Sequence, residues 1–295
     1  MSERKIIQVE DKVPFKLLLP LSIQHMFAMF GASVLVPFIF GINPAIVLFM
    51  NGVGTLIFMT VTKGKAPAYL GSSFAFLAPA GIVISKMGYS YAWEDSWQSV
   101  SAAVFFLLLF IKCGTEWIDV VLPPAAMGPV VALIGLELSG SAASNAGLLC
   151  DKPDMKNVIV FLVTLGVAIF GNILFRGFLS VIPILVAVIA GYVAAFCLGI
   201  LDFSQVAAAS WFALPNFQPA KFDMGAILMI LPVLLVITSE HIGHQVVTGK
   251  IIGRDLLKDP GLHRSLFGDN FSTMLSGLIG SVPTTTYGEN IGVMA

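Results

Sequence analysis

The 295-residue sequence is 57% hydrophobic and 11% charged, with a formal net charge of −1, whereas a soluble domain carries about 25% charged residues. Too little polar surface remains to face water, so the solvent is a bilayer, and without a basic tract nucleic-acid binding by phosphate neutralisation is excluded. Three scattered cysteines, Cys113, Cys150 and Cys197, support neither a disulfide framework nor a zinc site.

Residues 1–16 form a short charged tail with acids among the bases, not a cleavable signal. A membrane-crossing helix needs about 20 mostly apolar residues. Ten segments qualify: 17–40, 44–62, 67–85, 98–111, 118–138, 157–175, 178–200, 225–248, 262–281 and one opening near 282. The stretch 201–224 is aromatic, contains proline and is too broken to span, so it is expected along the outer face. With the N-terminus in the cytoplasm, twelve of the sixteen lysines and arginines fall at inner ends, as the positive-inside rule requires. Trp93, Trp97, Trp117 and Trp211 fall near span ends, where interfacial anchors belong. The sequence stops at Ala295 inside an apolar run with no polar flank, which predicts that further chain follows.

The ionisable residues deep in these spans are His25, Glu137, Glu240, His241, His244 and Glu289. A charge at mid-bilayer costs at least about 2.5–3.5 kcal/mol, so each is a functional candidate. Glu240 and His244 are four residues apart and share a helical face, with His241 turned about 100° away. A carboxylate beside an imidazole can handle protons; the competing reading is a structural salt bridge between helices. The order Glu-His-x-x-His does not match a zinc helix. His25 reads as an interhelical hydrogen-bonder, and Glu137, near a span end, as a snorkelling residue.

Glu289 lies in SVPTTTYGENIGVMA, where Pro283 and Gly288 interrupt an apolar context. This pattern predicts a short extended stretch and then a half-helix starting near Gly288 inside the membrane, its free N–H groups facing a substrate. APAYLGSSFAFLAP at 66–79 has a similar make-up. The two are the third and tenth spans, an odd offset of seven that inverts the second copy; two ordinary kinked helices are the alternative. Asn290 is placed to bond backbone near the break. No GxSxG, P-loop or metal-spaced Cys/His set competes, so an enzyme is not expected.

Several motifs taken together carry a resemblance. They include QHMFAMFGASVLVP at 24–37, KGKAPAYLGSSFAF at 63–76, PPAAMG at 123–128, LFRGFL at 174–179, SEHIGH at 239–244, DPGLHRS at 259–265 and TTYGENIGVMA at 285–295. The chain resembles nucleobase–cation symporter family 2, the nucleobase–ascorbate transporters, and within it the bacterial uracil carriers. The resemblance implies an all-α polytopic membrane protein built as a seven-plus-seven inverted repeat, of which about the first ten spans are present. It divides the chain into the cytoplasmic tail 1–16, a core domain over 17–112 (spans 1–4), a gate domain over 113–200 (spans 5–7), the extracytoplasmic connection 201–224, and further core over 225–295 (spans 8–10). The third and tenth spans are the discontinuous ones.

The resemblance further implies that Glu240 and Glu289 receive the nucleobase, that the backbone N–H groups of Phe74 and Gly288 donate to its carbonyls, and that His244 and Glu289 couple a proton. Ser73, Tyr287, His25 and Asn290 are placed as pocket or support. The expected activity is proton-coupled uracil uptake across the cell membrane by alternating access. The alternatives are a xanthine or urate carrier of the same family, or an anion transporter of related fold, which two membrane carboxylates disfavour. No cofactor and no metal are expected. The expected partners are the nucleobase, the co-transported proton, the bilayer and a second copy of the chain meeting through the gate domain.

Overall fold

The computed structural model describes residues 8–88, 152–176, 182–208 and 223–294, with scattered positions between 129 and 150 and the single residues 179 and 217. The proposed span 98–111, most of 118–138 and of 201–224, Glu137 and the four tryptophans lie outside the described residues.

Helix α1 runs Phe15–Phe40 and stops at Gly41, whose φ of 67° lets its N–H turn back to the Phe38 carbonyl. Asn43 then caps α2 (Pro44–Val61), its side chain accepting from Ala45 N at 2.9 Å, with Pro44 in the first turn where no donor is lost. The chain next extends as β1 (Leu70–Ser72), tightens through a 3₁₀ turn at Phe74–Phe76 and enters α3 (Leu77–Met87). After the undescribed stretch come α4 (Met155–Leu174), α5 (Pro183–Cys197) and the short α6 (Ser204–Ala208). Then follow α7 (Met224–Ile230), α8 (Val233–Ile252), α9 (Leu262–Leu278), β2 (Thr284–Thr286) and α10 (Gly288–Met294). Helices α1, α2 and α4 are long and apolar enough to cross a membrane.

Two expectations need correction. The segment 225–248, read as one span, is two helices, because Pro232 lies between them and has no N–H to continue the ladder. The chain is also not purely helical. β1 and β2 pair antiparallel, Leu70 opposite Thr286, Gly71 opposite Thr285 and Ser72 opposite Thr284. The ladder extends by Ser73 N to the Pro283 carbonyl at 2.9 Å and Tyr287 N to the Tyr69 carbonyl at 3.0 Å. All six strand residues are buried. Extended backbone in a membrane interior must find its hydrogen bonds within the protein, and each broken segment supplies them to the other.

Side-chain hydroxyls complete this pairing. Thr55 of α2 accepts from Leu70 N at 3.0 Å, and Thr273 of α9 accepts from Thr284 N at 3.2 Å while donating to the Thr284 carbonyl at 2.6 Å. Ser272 and Thr284 share a hydroxyl contact of 2.7 Å, and Ser276 donates to the Val282 carbonyl. Beside this polar centre lies an apolar cluster of Val36, Ile46, Val47, Phe76, Leu77, Ala80, Val83, Ile230, Leu234 and Ile237, joining α1, α2, α3, α7 and α8.

At the rim, Arg254 forks over the Glu10 carboxylate and Lys65 over that of Asp259, at 2.8 and 2.7 Å. The Arg254 guanidinium holds the Glu10 carboxyl below the ordinary carboxylate range.

Helices α2 and α9 meet through small residues. A Cβ on Gly54 would overlap the Ser272 hydroxyl, and one on Gly268 would come within 3.2 Å of the Phe58 ring. Ser272 cannot yield, because it holds Thr284. Gly54→Ala is therefore expected to destabilise the detergent-solubilised protein by about 1–3 kcal/mol, read as a lower Tm. Adding Ser272→Ala should restore part of the loss, and a double mutant no better than Gly54→Ala would refute the overlap.

Candidate functional site

The strand crossing leaves two helix starts near one another in the interior, the 3₁₀ turn at Phe74 and α10 at Gly288, with α8 packed against both. The N–H groups of a first helical turn have no partner within the helix. Ser73, just ahead of Phe74, is buried, and its hydroxyl has no hydrogen-bond partner among the described residues.

Helix α8 supplies the titratable groups. His244 places Nδ1 2.9 Å from the Thr286 hydroxyl of β2, and its Nε2 lies 3.2 Å from where a Cβ on Gly288 would stand. A side chain at 288 would press on the imidazole, so glycine suits this close approach of the α10 start. Glu240 sits one turn earlier on the same face. Its Oε2 is sealed from solvent without a partner among the described residues, within electrostatic range of Asp269 and Glu289. The spacing of Glu240 and His244 thus gives the shared face but not an ion pair: His244 bonds Thr286 instead.

The close approach to a carboxylate belongs to His241, whose Nδ1 is 3.2 Å from Asp269 Oδ2 and whose ring meets Phe58 edge-on at 6.1 Å. Asp269 lies inside the segment 262–281 and is not among the candidates that the sequence analysis names, although a carboxylate within an apolar segment is itself the signal.

The flanks of α10 differ. Glu289 faces a cavity of about 220 Å³ lined by Phe27 and Ala28 of α1, Asn172 of α4, Pro183 and Leu185 of α5, and Gly292. On the other flank a cavity of about 330 Å³ is lined by His25, Tyr69, Tyr287 and Asn290, among others. There Asn290 Nδ2 lies 3.1 Å from both His25 Nδ1 and the His25 carbonyl, tying α10 to α1. The Tyr287 ring lies over Gly71, where a Cβ would overlap it, and is 5.8 Å from the Tyr69 ring. The structure therefore brings Glu240, His244, Phe74, Ser73 and Gly288 to the crossing and Glu289 to the cavity toward α4 and α5, while Tyr287, packed over Gly71, lines the other cavity with His25 and Asn290. Among the described residues no group of three His, Cys, Asp or Glu is placed to hold a metal ion.

A mostly helical bundle with paired broken segments and carboxylates at its crossing is the build of a membrane transporter. Over 97% of this chain and 79% of the other, the fold matches the transmembrane domain of a cyanobacterium bicarbonate transporter, BicA, with a TM-score of 0.57 at 14% identity. The chain belongs to the Permease family, whose xanthine/uracil permease model matches residues 16–295. It is a multi-pass membrane transporter of nucleobase–cation symporter family 2, not an enzyme. Uracil permease of Escherichia coli K12 is 52% identical over 297 residues, 99% of this chain and 68% of that protein. Uracil permease of Paenibacillus larvae is 53% identical over 299 residues, again 99% of this chain and 70% of its relative. That of Bacillus subtilis is 43% identical over 309 residues, covering 71% of its length.

The bond from His244 to Thr286 carries a prediction. Thr286→Val removes the partner of Nδ1 at nearly constant volume and is expected to cost about 1–3 kcal/mol, measured by thermal unfolding in detergent. Thr286→Ser should keep most of the stability; equal losses for the two variants would show that the methyl group, not the hydroxyl, matters.

Proposed function

We propose that the protein is a uracil permease that carries uracil into the cell together with protons, by alternating access. The observation that carries this reading is the identity of 52–53% to two uracil permeases across 99% of the chain. The chemistry at the crossing supports it. Uracil presents two ring N–H donors and two carbonyl acceptors. Glu240 and Glu289 are suited to take the N–H groups, and the backbone N–H groups of Phe74 and Gly288 to donate to the carbonyls. Charge-assisted hydrogen bonds in a dry site are strong, and a missing partner is costly. His244, held by Thr286 against Gly288, is the proton-coupling residue together with Glu289. Protonating a buried carboxylate or His244 lowers the cost of moving the loaded site, and losing the proton on the inner side resets it.

The antiparallel pairing of β1 with β2, each followed by a helix, supports a seven-plus-seven inverted repeat in which residues 17–112 and 225–295 belong to the core and 113–200 to the gate. On that division the cavity beside Glu289 lies between core helices α1 and α10 and gate helices α4 and α5. The split of basic residues supports a cytoplasmic N-terminus, and the gate is the surface through which two copies would meet.

Labelled-uracil uptake into proteoliposomes holding the full chain, with and without an inward proton gradient and with unlabelled xanthine as competitor, tests the reading. Gradient-driven uptake indifferent to xanthine is expected. Competition by xanthine would move the substrate to the purines, and no uptake by a folded protein would refute the function. Glu240→Gln should weaken uracil binding about 10- to 100-fold, the loss of one charge-assisted bond. Unchanged uracil binding would remove Glu240 from the site.

A further inference from the structure

We propose that the N-terminal tail is an ionic latch: a turn at residues 8–11, held by Glu10 on Arg254, covers one side of the cavity beside Tyr69 and Tyr287, and salt at the inner membrane face loosens it. The latch does not depend on which substrate is carried. Its place in the cytoplasm follows the orientation proposed above.

The turn is built locally. Asp11 N donates to the Gln8 carbonyl at 3.0 Å, and Gln8 N donates to Asp11 Oδ2 at 2.9 Å, so four residues close on themselves. Val9 and Glu10 then stand at the tip. Val9 is half-buried and lines the cavity of about 330 Å³ together with Gly64, Ala66, Ala68 and Met294. The Gln8 side-chain oxygen is sealed from solvent, so the turn is pressed against the body beneath it. Between residue 8 and the start of α1 at Phe15 no helix or strand holds the tail in place. Its anchor is the Glu10 carboxylate, on which Arg254 forks with both Nη groups. Arg254 is a fixed post. Gly253 ends α8 in the left-handed region, with φ 71°, and Arg254 N returns to the Gly249 carbonyl at 2.8 Å. A Cβ on Gly249 would overlap the Arg254 carbonyl, so the post depends on glycine there.

Charges of alternating sign surround this anchor. Glu10 lies within electrostatic range of Lys65 as well as Arg254, Arg254 lies within range of Asp259, and Lys65 forks on Asp259. The tail is thereby tied to the α2–β1 loop and to the α8–α9 connection at once. A two-pronged guanidinium–carboxylate contact is strong among surface pairs. All four side chains are nevertheless at least 37% exposed, and pairs in water are worth little and are screened by salt. A closure of that strength is reversible and answers to ionic strength, whereas apolar packing is not held by charge. The floor of the cavity gives the latch its use. Tyr69 and Tyr287 stand at one end of the strand ladder, joined by Tyr287 N to the Tyr69 carbonyl. Water admitted past the turn would reach extended backbone that keeps its hydrogen bonds best when dry.

Chemical access to the cavity tests the latch. In the detergent-solubilised full chain, with its native cysteines replaced by serine, Ala68→Cys puts a thiol in the cavity wall. Its rate of alkylation by N-ethylmaleimide reads access past the turn. Glu10→Gln is expected to speed alkylation about 2- to 5-fold, the scale of one exposed ion pair. Arg254→Gln should do the same, and the double variant should be no faster than either alone, because a single contact is lost in all three. Raising NaCl from about 0.05 M to about 0.5 M should speed the chain with Glu10 and Arg254 intact by a similar factor and leave Glu10→Gln nearly unchanged. Ala80→Cys, within the apolar cluster, is the control, and its alkylation should stay slow throughout. Equal rates with and without Glu10→Gln would overturn the latch, as would additive effects of the two charge variants or a salt response that Glu10→Gln leaves intact. A rise at Ala80→Cys matching that at Ala68→Cys would show general loosening and overturn it as well. Should Ala68→Cys fail to fold, Met294→Cys on α10, in the wall of the same cavity, carries the same comparison.

Discussion

Six residues of extended chain buried in a membrane protein are costly, and the structure depends on how that cost is met. Neither β1 nor β2 can satisfy its backbone alone, because neither is helical and water is excluded. Paired, they satisfy one another, and the hydroxyls of Thr55 and Thr273 bond further backbone groups of the strands, while Ser272 holds the Thr284 hydroxyl. The polar character of α9 follows from this: Ser272, Thr273 and Ser276 look out of place in a span but face β2 and the chain leading into it. The close approach of α2 to α9 at Gly54 and Gly268 follows as well, since both helices must reach the strands.

The same pairing concentrates chemistry. An antiparallel pair with a helix after each strand brings two helix starts to one place, and α8 lies across them with Glu240 and His244 on the facing side. Thr286 belongs to the ladder and also bonds His244, so the titratable face of α8 is keyed to strand register. A slip of one residue would turn Thr286 to the other face of the ladder and take this bond away.

Much of this was legible in the sequence, and the parts that were not have physical reasons. The end of α1 and the start of α2 are written in Gly41, Asn43 and Pro44, whose backbone preferences act locally. The broken segments are written in Pro283, Gly288 and the Gly71-Ser72-Ser73 run. The break at Pro232 is harder to see, because the flanking residues are apolar enough to disguise two helices as one. Spacing showed that Glu240 and His244 share a face, yet not what that face meets. Thr286 is 42 residues beyond His244, and Asp269 is 28 beyond His241. Contacts of that kind depend on how helices pack, and periodicity within one helix is silent about it.

The ion pairs at the rim acquire a mechanical meaning beside the strand pair. Arg254 with Glu10 and Lys65 with Asp259 join the tail and the α2–β1 loop to the α8–α9 connection, far in sequence and some distance from the strand crossing. Exposed pairs of this kind are individually weak and screened by salt. A body clamped at its centre and again at its edge nevertheless resists twisting between the clamps. By contrast, α5 meets α1 through apolar contacts such as Ile184 against Gly31, where a Cβ would stand 3.3 Å from the isoleucine methyl. Contacts of this kind carry no direction, so the α1–α5 seam fixes its register less strictly than the hydrogen bonds of the strand pair and the ion pairs of the rim.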